Sequence, residues 1–166
     1  MTSSPVQGIR VGWGFDVHPL GGEPPLTLGG VVVSESSGVT ATSDGDVLAH
    51  AVTDALMGVC VLGDLGEHFP SDDPSLSDAD SMFLLRQAAT MATAAGWHTA
   101  HLDVTVMAQD VRIAPHREAI RAQLAEALAI NEDEVSVKAT TTDGLGLVGR
   151  GEGIAVVAVL TARALS

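Results

Sequence analysis

Polar and apolar positions alternate along residues 11–18, with Val11, Trp13 and Phe15 interleaved among small residues. This period of two predicts a short strand in which Asp16 and His18 project from the same face. Pro19 and the Gly21-Gly22 pair stop it. Residues 26–33 read as a second strand broken by Gly29-Gly30, a hairpin-like excursion reaching about Ser37. Residues 34–45 form a polar loop, and Ser43-Asp44-Gly45-Asp46 supplies caps for a helix over 47–62, which Gly63 ends. That helix carries Asp46, His50 and Asp54 on one face and sends Val52, Leu56 and Val59 to the core. An acidic loop with Pro70 and Pro74 follows over 64–78, then a helix started by Ser77-Asp78-Ala79-Asp80 that stops at Gly96. Alternation at 102–106 predicts a strand, Pro115 opens a helix through Ile120, Leu124 and Leu128, and 135–139 alternates again. Residues 154–161 are apolar at nearly every position. Such a strand needs cover on both faces, and in so small a protein the second cover is expected from another subunit.

The pattern shows no linker, no internal repeat and no second unit, so residues 1–166 are read as one domain, a length that can bury a core. With 46% apolar but only 3% aromatic residues, that core is built of Val, Leu, Ile and Ala. Eight basic against twenty-one acidic side chains give a net charge of −13. This balance argues against nucleic acid or an anionic membrane as partner and leaves metal ions or a few placed cations to receive phosphates. Cys60 is the only cysteine and excludes an intrachain disulfide, which fits a reducing, cytoplasmic location. The opening Met-Thr-Ser-Ser-Pro lacks the basic and apolar regions of a secretory signal, and no apolar run reaches the about 18 residues that span a bilayer.

Three groups of residues could carry chemistry. A carboxylate and an imidazole side by side at a strand end are two thirds of a zinc site, and His50 in the first turn of the next long helix completes it if that helix packs beside the strand. Asp46 or Asp54 would then accept from the other ring nitrogen of His50. On spacing alone, a solvated Asp16-His18 pair and a satisfied helix histidine stay open as the alternative, and His68, His98, His101 and His116 read as surface or loop residues. Asp44, Asp64, Glu67, Asp72 and Asp73 read as caps and solvated loop carboxylates, or as ligands for substrate hydroxyls or a hard cation such as magnesium. The run from Gly144 contains G-x-G-x-x-G, but a strand rather than a helix follows, so a dinucleotide site is excluded. It reads instead as a turn gathering backbone N–H groups, the hydroxyls of Thr140, Thr141 and Thr142, and Arg150 around an anion, or as a plain glycine hairpin. No Walker A sequence, G-x-S-x-G elbow or cysteine nucleophile arrangement is present.

Gly14-Phe15-Asp16-Val17-His18, Ser43-Asp44-Gly45-Asp46 with His50, Gly63-Asp64-Leu65-Gly66 with Phe69-Pro70, Lys138-Ala139-Thr140-Thr141-Thr142 and Gly149-Arg150-Gly151-Glu152-Gly153 follow in that order. Together they closely resemble the 2-C-methyl-D-erythritol 2,4-cyclodiphosphate synthase family of the non-mevalonate isoprenoid pathway. The resemblance implies an α+β protomer: a two-layer sandwich with a mixed β-sheet and helices on one face, assembling as a homotrimer around a central sheet-lined cavity. The family's reaction is an intramolecular phosphoryl transfer in which 4-diphosphocytidyl-2-C-methyl-D-erythritol 2-phosphate cyclises and releases CMP.

By resemblance, Asp16, His18 and His50 would hold zinc or another divalent transition metal, and Asp143 a magnesium or manganese ion bridging the substrate diphosphate. Ser43, Asp64 and Gly66 would contact substrate, with Phe69, Pro70, Ser71, Asp72 and Asp73 closing over the erythritol. Ala108, Gln109, Asp110, Val111, Arg112, Ile113 and Ala114 with Thr140, Thr141 and Thr142 would make the cytidine and phosphate pocket of the neighbouring subunit. Thr42 and Thr141 would steady the transferring phosphate, and Leu147 and Arg150 would border a cavity suited to an isoprenoid diphosphate. Three positions depart from the family pattern: Thr42 stands where His is usual, Asp143 where Glu is common, and Leu147 where Phe is frequent. From the residues alone, a zinc hydrolase using Asp64 or Asp44 as base, or a trimeric binding module, remain as alternatives.

Overall fold

The computed structural model describes residues 8–41, 43–70 and 79–165. Its main sheet has four strands: β1 (Ile9–Pro19), β4 (Trp97–Met107), β5 (Val135–Thr140) and β6 (Gly153–Ala164). Their spatial order is β1-β6-β4-β5. The first two pairings are antiparallel and β4–β5 is parallel, which makes the sheet mixed. A separate hairpin joins β2 (Leu26–Leu28) to β3 (Val31–Ser34) across Gly29-Gly30, as the sequence predicted. Three long helices, α1 (Val47–Cys60), α3 (Ser81–Ala94) and α4 (Arg117–Leu128), share one core with the inner face of the sheet. One-turn helices α2 (Leu65–His68) and α5 (Gly146–Gly149) lie in segments the sequence presented as a loop and a turn.

Inward residues of β6 (Ile154, Val156, Ala158, Leu160 and Ala162) are completely buried against that helical layer. Among the described residues, the three long helices cover this face alone. On the other face Val157 and Val159 are half-buried. Beside them Ile9, Val11, Trp13, Phe15 and Val17 of β1 lie exposed, Trp13 at 63% and Ile9 at 77%. The apolar side chains of β1 therefore point away from the core, and its small residues point in.

Those small residues set the packing of α1. A Cβ on Gly12 would meet the Ala55 carbonyl oxygen at 1.9 Å, and one on Gly14 would meet that of Ala51 at 2.0 Å. Only glycine allows helix backbone and strand backbone this close. Asp46 fixes the start of α1: its carboxylate accepts from the N–H groups of Leu48 and Ala49, and from those of Gly29 and Gly30 at 2.8 and 2.7 Å. One buried side chain thus caps the helix and anchors the β2–β3 turn. The helix ends earlier than Gly63 suggested. Val61 takes a left-handed conformation (φ 58°), donating to the Gly58 carbonyl while Leu62 donates to that of Met57.

Two other boundaries moved. β4 begins at Trp97 rather than 102, because pairing with β6 recruits the polar stretch His98 to His101. Asp80 is the residue whose side chain caps α3, accepting from Met82 and Phe83. The expected contribution of Ser77 and Asp78 lies outside the described residues. Sheet register places the candidate site segments together. Pro19 pairs with Gly153, Ala155 with Met107, and Met107 with Thr140, so the chain leaves β1, β4 and β5, and enters β6, at one end of the sheet.

Candidate metal centre and nucleotide groove

At that end Asp16 and His18, two residues apart on β1, face inward beneath α1, and His50 descends from the first turn of the helix. His18 Nε2 and His50 Nδ1 lie 3.0 and 3.1 Å from the same oxygen, Asp16 Oδ2. The two rings meet edge to face with centroids 5.2 Å apart. Among the described residues these three form the one cluster whose donor atoms all fall within 4.8 Å of one another. Burial would raise the Asp16 carboxyl, but hydrogen bonds and charge from His18 and His50 outweigh it and hold it well below the usual carboxylate range. For His18, burial works to lower the pKa and the Asp16 carboxylate more than offsets it, so the imidazole sits above its ordinary value.

The donor set fits a divalent metal. His18 Nδ1 lies 3.1 Å from the Gly45 carbonyl oxygen and donates to it, so that in the neutral ring Nε2 carries its lone pair toward Asp16. Electron pairs of a carboxylate and an imidazole aimed at each other across 3 Å repel unless a cation or proton lies between them. Ligand atoms around a tetrahedral zinc stand roughly 3.3 Å apart, so the spacing suits such an ion. Three such donors would leave room for a fourth ligand on a tetrahedral ion.

The partner of His50 differs from the sequence expectation. Asp46 is occupied by backbone N–H groups, and Asp54 accepts from the Leu65 N–H at 2.8 Å. His50 Nε2 instead lies 2.9 Å from Ser81 Oγ and 3.3 Å from Ser43 Oγ. Ser43 is thereby brought to the centre, and Ser81 is a residue sequence reasoning missed. The Asp54 bond ties α2 to α1 one turn beyond His50. Asp64 caps α2 through the Glu67 N–H at 2.9 Å, Gly66 is exposed on it, and Phe69 packs at the margin of the core ahead of Pro70. Thr42, Ser71, Asp72 and Asp73 lie outside the described residues.

A second feature opens at the same end of the sheet. Ala108, Gln109, Val111, Arg112, Ile113 and Ala114 line an open groove of about 370 Å³ with Ala139, Thr140 and Thr141. Parallel pairing brings its two walls together, with the Ala108 N–H donating to the Thr140 carbonyl at 3.0 Å. Arg117, in the first turn of α4, also lines it and was not anticipated; its signal was a basic residue two positions after Pro115. Asp110 faces a neighbouring hollow with Ser34, Ser36 and Ser37 instead. Thr142 donates to the Leu145 carbonyl, and Asp143 accepts from Thr141 Oγ1 at 3.2 Å in a left-handed turn. Leu147 and Arg150 are exposed, and Arg150 makes a two-bond ion pair with Glu152 at 2.8 Å rather than reaching toward the threonines.

A model of the YgbB family matches residues 9–163, taking in both the metal centre and the groove. The chain belongs to the YgbB family. It is 54% identical over 152 residues to the 2-C-methyl-D-erythritol 2,4-cyclodiphosphate synthase of Shewanella halifaxensis, covering 92% of this chain and 96% of that one. The Pectobacterium atrosepticum protein of the same name is 52% identical over 151 residues, 91% of this chain and 92% of its own. Among solved structures, the bifunctional IspDF of Campylobacter jejuni superposes with a TM-score of 0.94 at 41% identity. That match covers 98% of this chain and 44% of the bifunctional one. The CDP complex of IspF from Plasmodium falciparum gives a TM-score of 0.84 at 29% identity over 96% of this chain and 99% of that one. Among the described residues, no helix of this YgbB-family chain is long and apolar enough to cross a membrane.

Proposed function

We propose that the protein converts 4-diphosphocytidyl-2-C-methyl-D-erythritol 2-phosphate into 2-C-methyl-D-erythritol 2,4-cyclodiphosphate and CMP, acting as a phosphorus–oxygen lyase in isoprenoid precursor synthesis. The observation that carries this reading is the Asp16-His18-His50 cluster at the same end of the sheet as the groove, in a chain so similar to cyclodiphosphate synthases. An oxygen of the 2-phosphate bonds to the β-phosphorus while the bond to the bridging oxygen breaks, and CMP departs with that electron pair. Such a transfer asks the protein for in-line positioning and charge neutralisation rather than covalent chemistry.

Asp16, His18 and His50 would hold zinc, which when bound supplies Lewis-acid neutralisation of a phosphate oxygen. Asp143 is the carboxylate assigned to a magnesium or manganese ion shared with the substrate diphosphate, a pattern common where one carboxylate and phosphates bind together. Arg112 and Arg117 give the groove positive charge within a strongly acidic chain, which suits a nucleotide diphosphate. Thr140 and Thr141 stand at its wall as hydroxyl donors. Ser43, Asp64 and Gly66 are assigned to the erythritol side, and Thr42 to the transferring phosphate. A homotrimer is supported by the apolar strip of β1, whose five exposed side chains form a continuous patch next to Val157 and Val159 of β6. It would surround a sheet-lined cavity suited to an isoprenoid diphosphate. A cytoplasmic location suits the single buried thiol.

Incubation with the diphosphocytidyl substrate, with and without chelator, tests the reading by phosphorus NMR. A cyclic diphosphate plus CMP, lost on chelation, is expected. Incorporation of oxygen from labelled water into an acyclic product would instead make the protein a hydrolase.

A further inference from the structure

His50 is a histidine whose outer nitrogen faces two hydroxyls, and which tautomer it adopts decides whether Nδ1 can bind a cation at all. The hydrogen bonds around Ser81 bias this choice. Ser81 is the first residue of α3 and has no exposed surface. Its backbone N–H donates to Asp44 Oδ2 at 2.9 Å, and its hydroxyl donates to Asp44 Oδ1. A carboxylate only accepts, and a serine hydroxyl has a single proton to give. With that proton committed to Asp44, Ser81 Oγ can only accept from His50 across the 2.9 Å contact. Ser81 therefore favours the neutral His50 tautomer with its proton on Nε2, whereas the Asp16 carboxylate 3.1 Å from Nδ1 favours the other unless a cation lies between them.

We propose that Ser81 and Asp44 are positioning residues which hold His50 in its Nε2–H form, so that Nδ1 is ready for the metal. The inference rests on the metal-centre reading above and adds the device that prepares one of its ligands. The two histidines are prepared differently. His18 is set by the Gly45 carbonyl, a backbone group present whatever the side chains, whereas His50 depends on side chains from two other segments. The Ser81–Asp44 pair also spans the start of α3 and the turn before α1, so His50 is oriented by the contact that docks one helix beside the other. Outer partners of this kind commonly change metal affinity by about 10–100-fold when removed.

The test compares the parent protein with Ser81→Ala and Asp44→Ala. Zinc dissociation constants are measured by competition with a chelator, and imidazole nitrogen shifts by NMR on the metal-free proteins at a pH where both rings are neutral. Circular dichroism establishes that each variant keeps its fold. Ser81→Ala is expected to weaken zinc binding by about 10–100-fold and to leave His50 as a mixture of tautomers. In Asp44→Ala the freed Ser81 proton turns toward Nε2, so the Nδ1–H form of His50 should increase. Zinc affinity of Ser81→Ala within about threefold of the parent, or a pure Nε2–H signal in both variants, would overturn the proposal. A parent that binds no zinc would instead overturn the metal-centre reading on which it rests, and the tautomer shifts, read without metal, keep the two failures apart.

Discussion

Gly14 on β1 and Ala51 on α1 are so close that a methyl group on the glycine would stand 2.0 Å from the alanine carbonyl oxygen. Because Asp16 follows Gly14 on the same face and His50 precedes Ala51, this approach sets the 3.1 Å separation between the carboxylate and the imidazole. Gly14→Ala must push the helix away from the strand. A loss of about 3 kcal/mol of stability is expected, together with at least about tenfold weaker zinc binding, or roughly 1.4 kcal/mol. Urea denaturation and zinc titration measure the two effects. A stable variant with parental affinity would show that the helix is free to shift without moving His50.

Val61 closes α1 in a conformation that suits glycine, since a branched side chain is crowded at φ 58°. Its side chain is 77% exposed and contributes little packing in return. Val61→Gly should therefore stabilise the protein by about 1 kcal/mol, read as a higher urea midpoint at unchanged slope. A lower midpoint would mean that the unfolded-chain entropy of the new glycine outweighs the relief of strain.

Trp13 lies in the middle of the exposed strip on β1. Covering a tryptophan removes roughly 150–250 Å² from water, worth about 4–6 kcal/mol before association costs. Trp13→Asp would bury a charge in its place. If the protein is the proposed homotrimer, the variant is expected to sediment as a monomer at micromolar concentration without a change in circular dichroism. A variant that sediments like the parent would place the subunit contact elsewhere.

Asp16 and His18 give the metal-free protein opposite pH dependences. The folded carboxyl of Asp16 lies below its ordinary 3.8, so its contribution is present above that value and is lost as pH falls through the lowered one. The folded imidazole of His18 lies above its ordinary 6.5, so its contribution is full below 6.5 and is lost as pH rises through the raised one. Both act together between 3.8 and 6.5. Zinc requires the deprotonated ring, so the extra stability it confers should grow as pH rises through the same transition. Thermal melts with and without chelator from about pH 5 to about pH 8 test this; a zinc increment that stays level across the series would contradict it.

The elements whose residues repeat with a clear period were legible in the sequence: the strand ending in Asp16 and His18, the capped helix carrying His50, and the hairpin around Gly29-Gly30. The ligand cluster was legible as a spacing, but its closure depends on Gly12 and Gly14, whose packing role appears only against the alanines of α1. Ser81 could not be paired with His50 from the chain alone, because 31 positions of sequence separate them and Ser81 belongs to a different helix. The helix end was misplaced because Val61 does what a glycine usually does, and the start of β4 because pairing overrides a polar local sequence. Arg150 was expected at an anion, but the nearest opposite charge, on Glu152, is two residues away on its own chain.

The register of the sheet carries one more consequence. Ile9 pairs with Arg163, and Trp97 with Ala164, at the end opposite the metal centre and the groove. Seven strand residues separate Ile9 from Asp16, about 23 Å at 3.3 Å each. Both ends of the folded unit therefore open toward the same remote side, where another polypeptide can be joined without lying across the chemistry. A tag or a fused polypeptide at either end of the described unit is therefore expected to leave the metal centre and the groove clear.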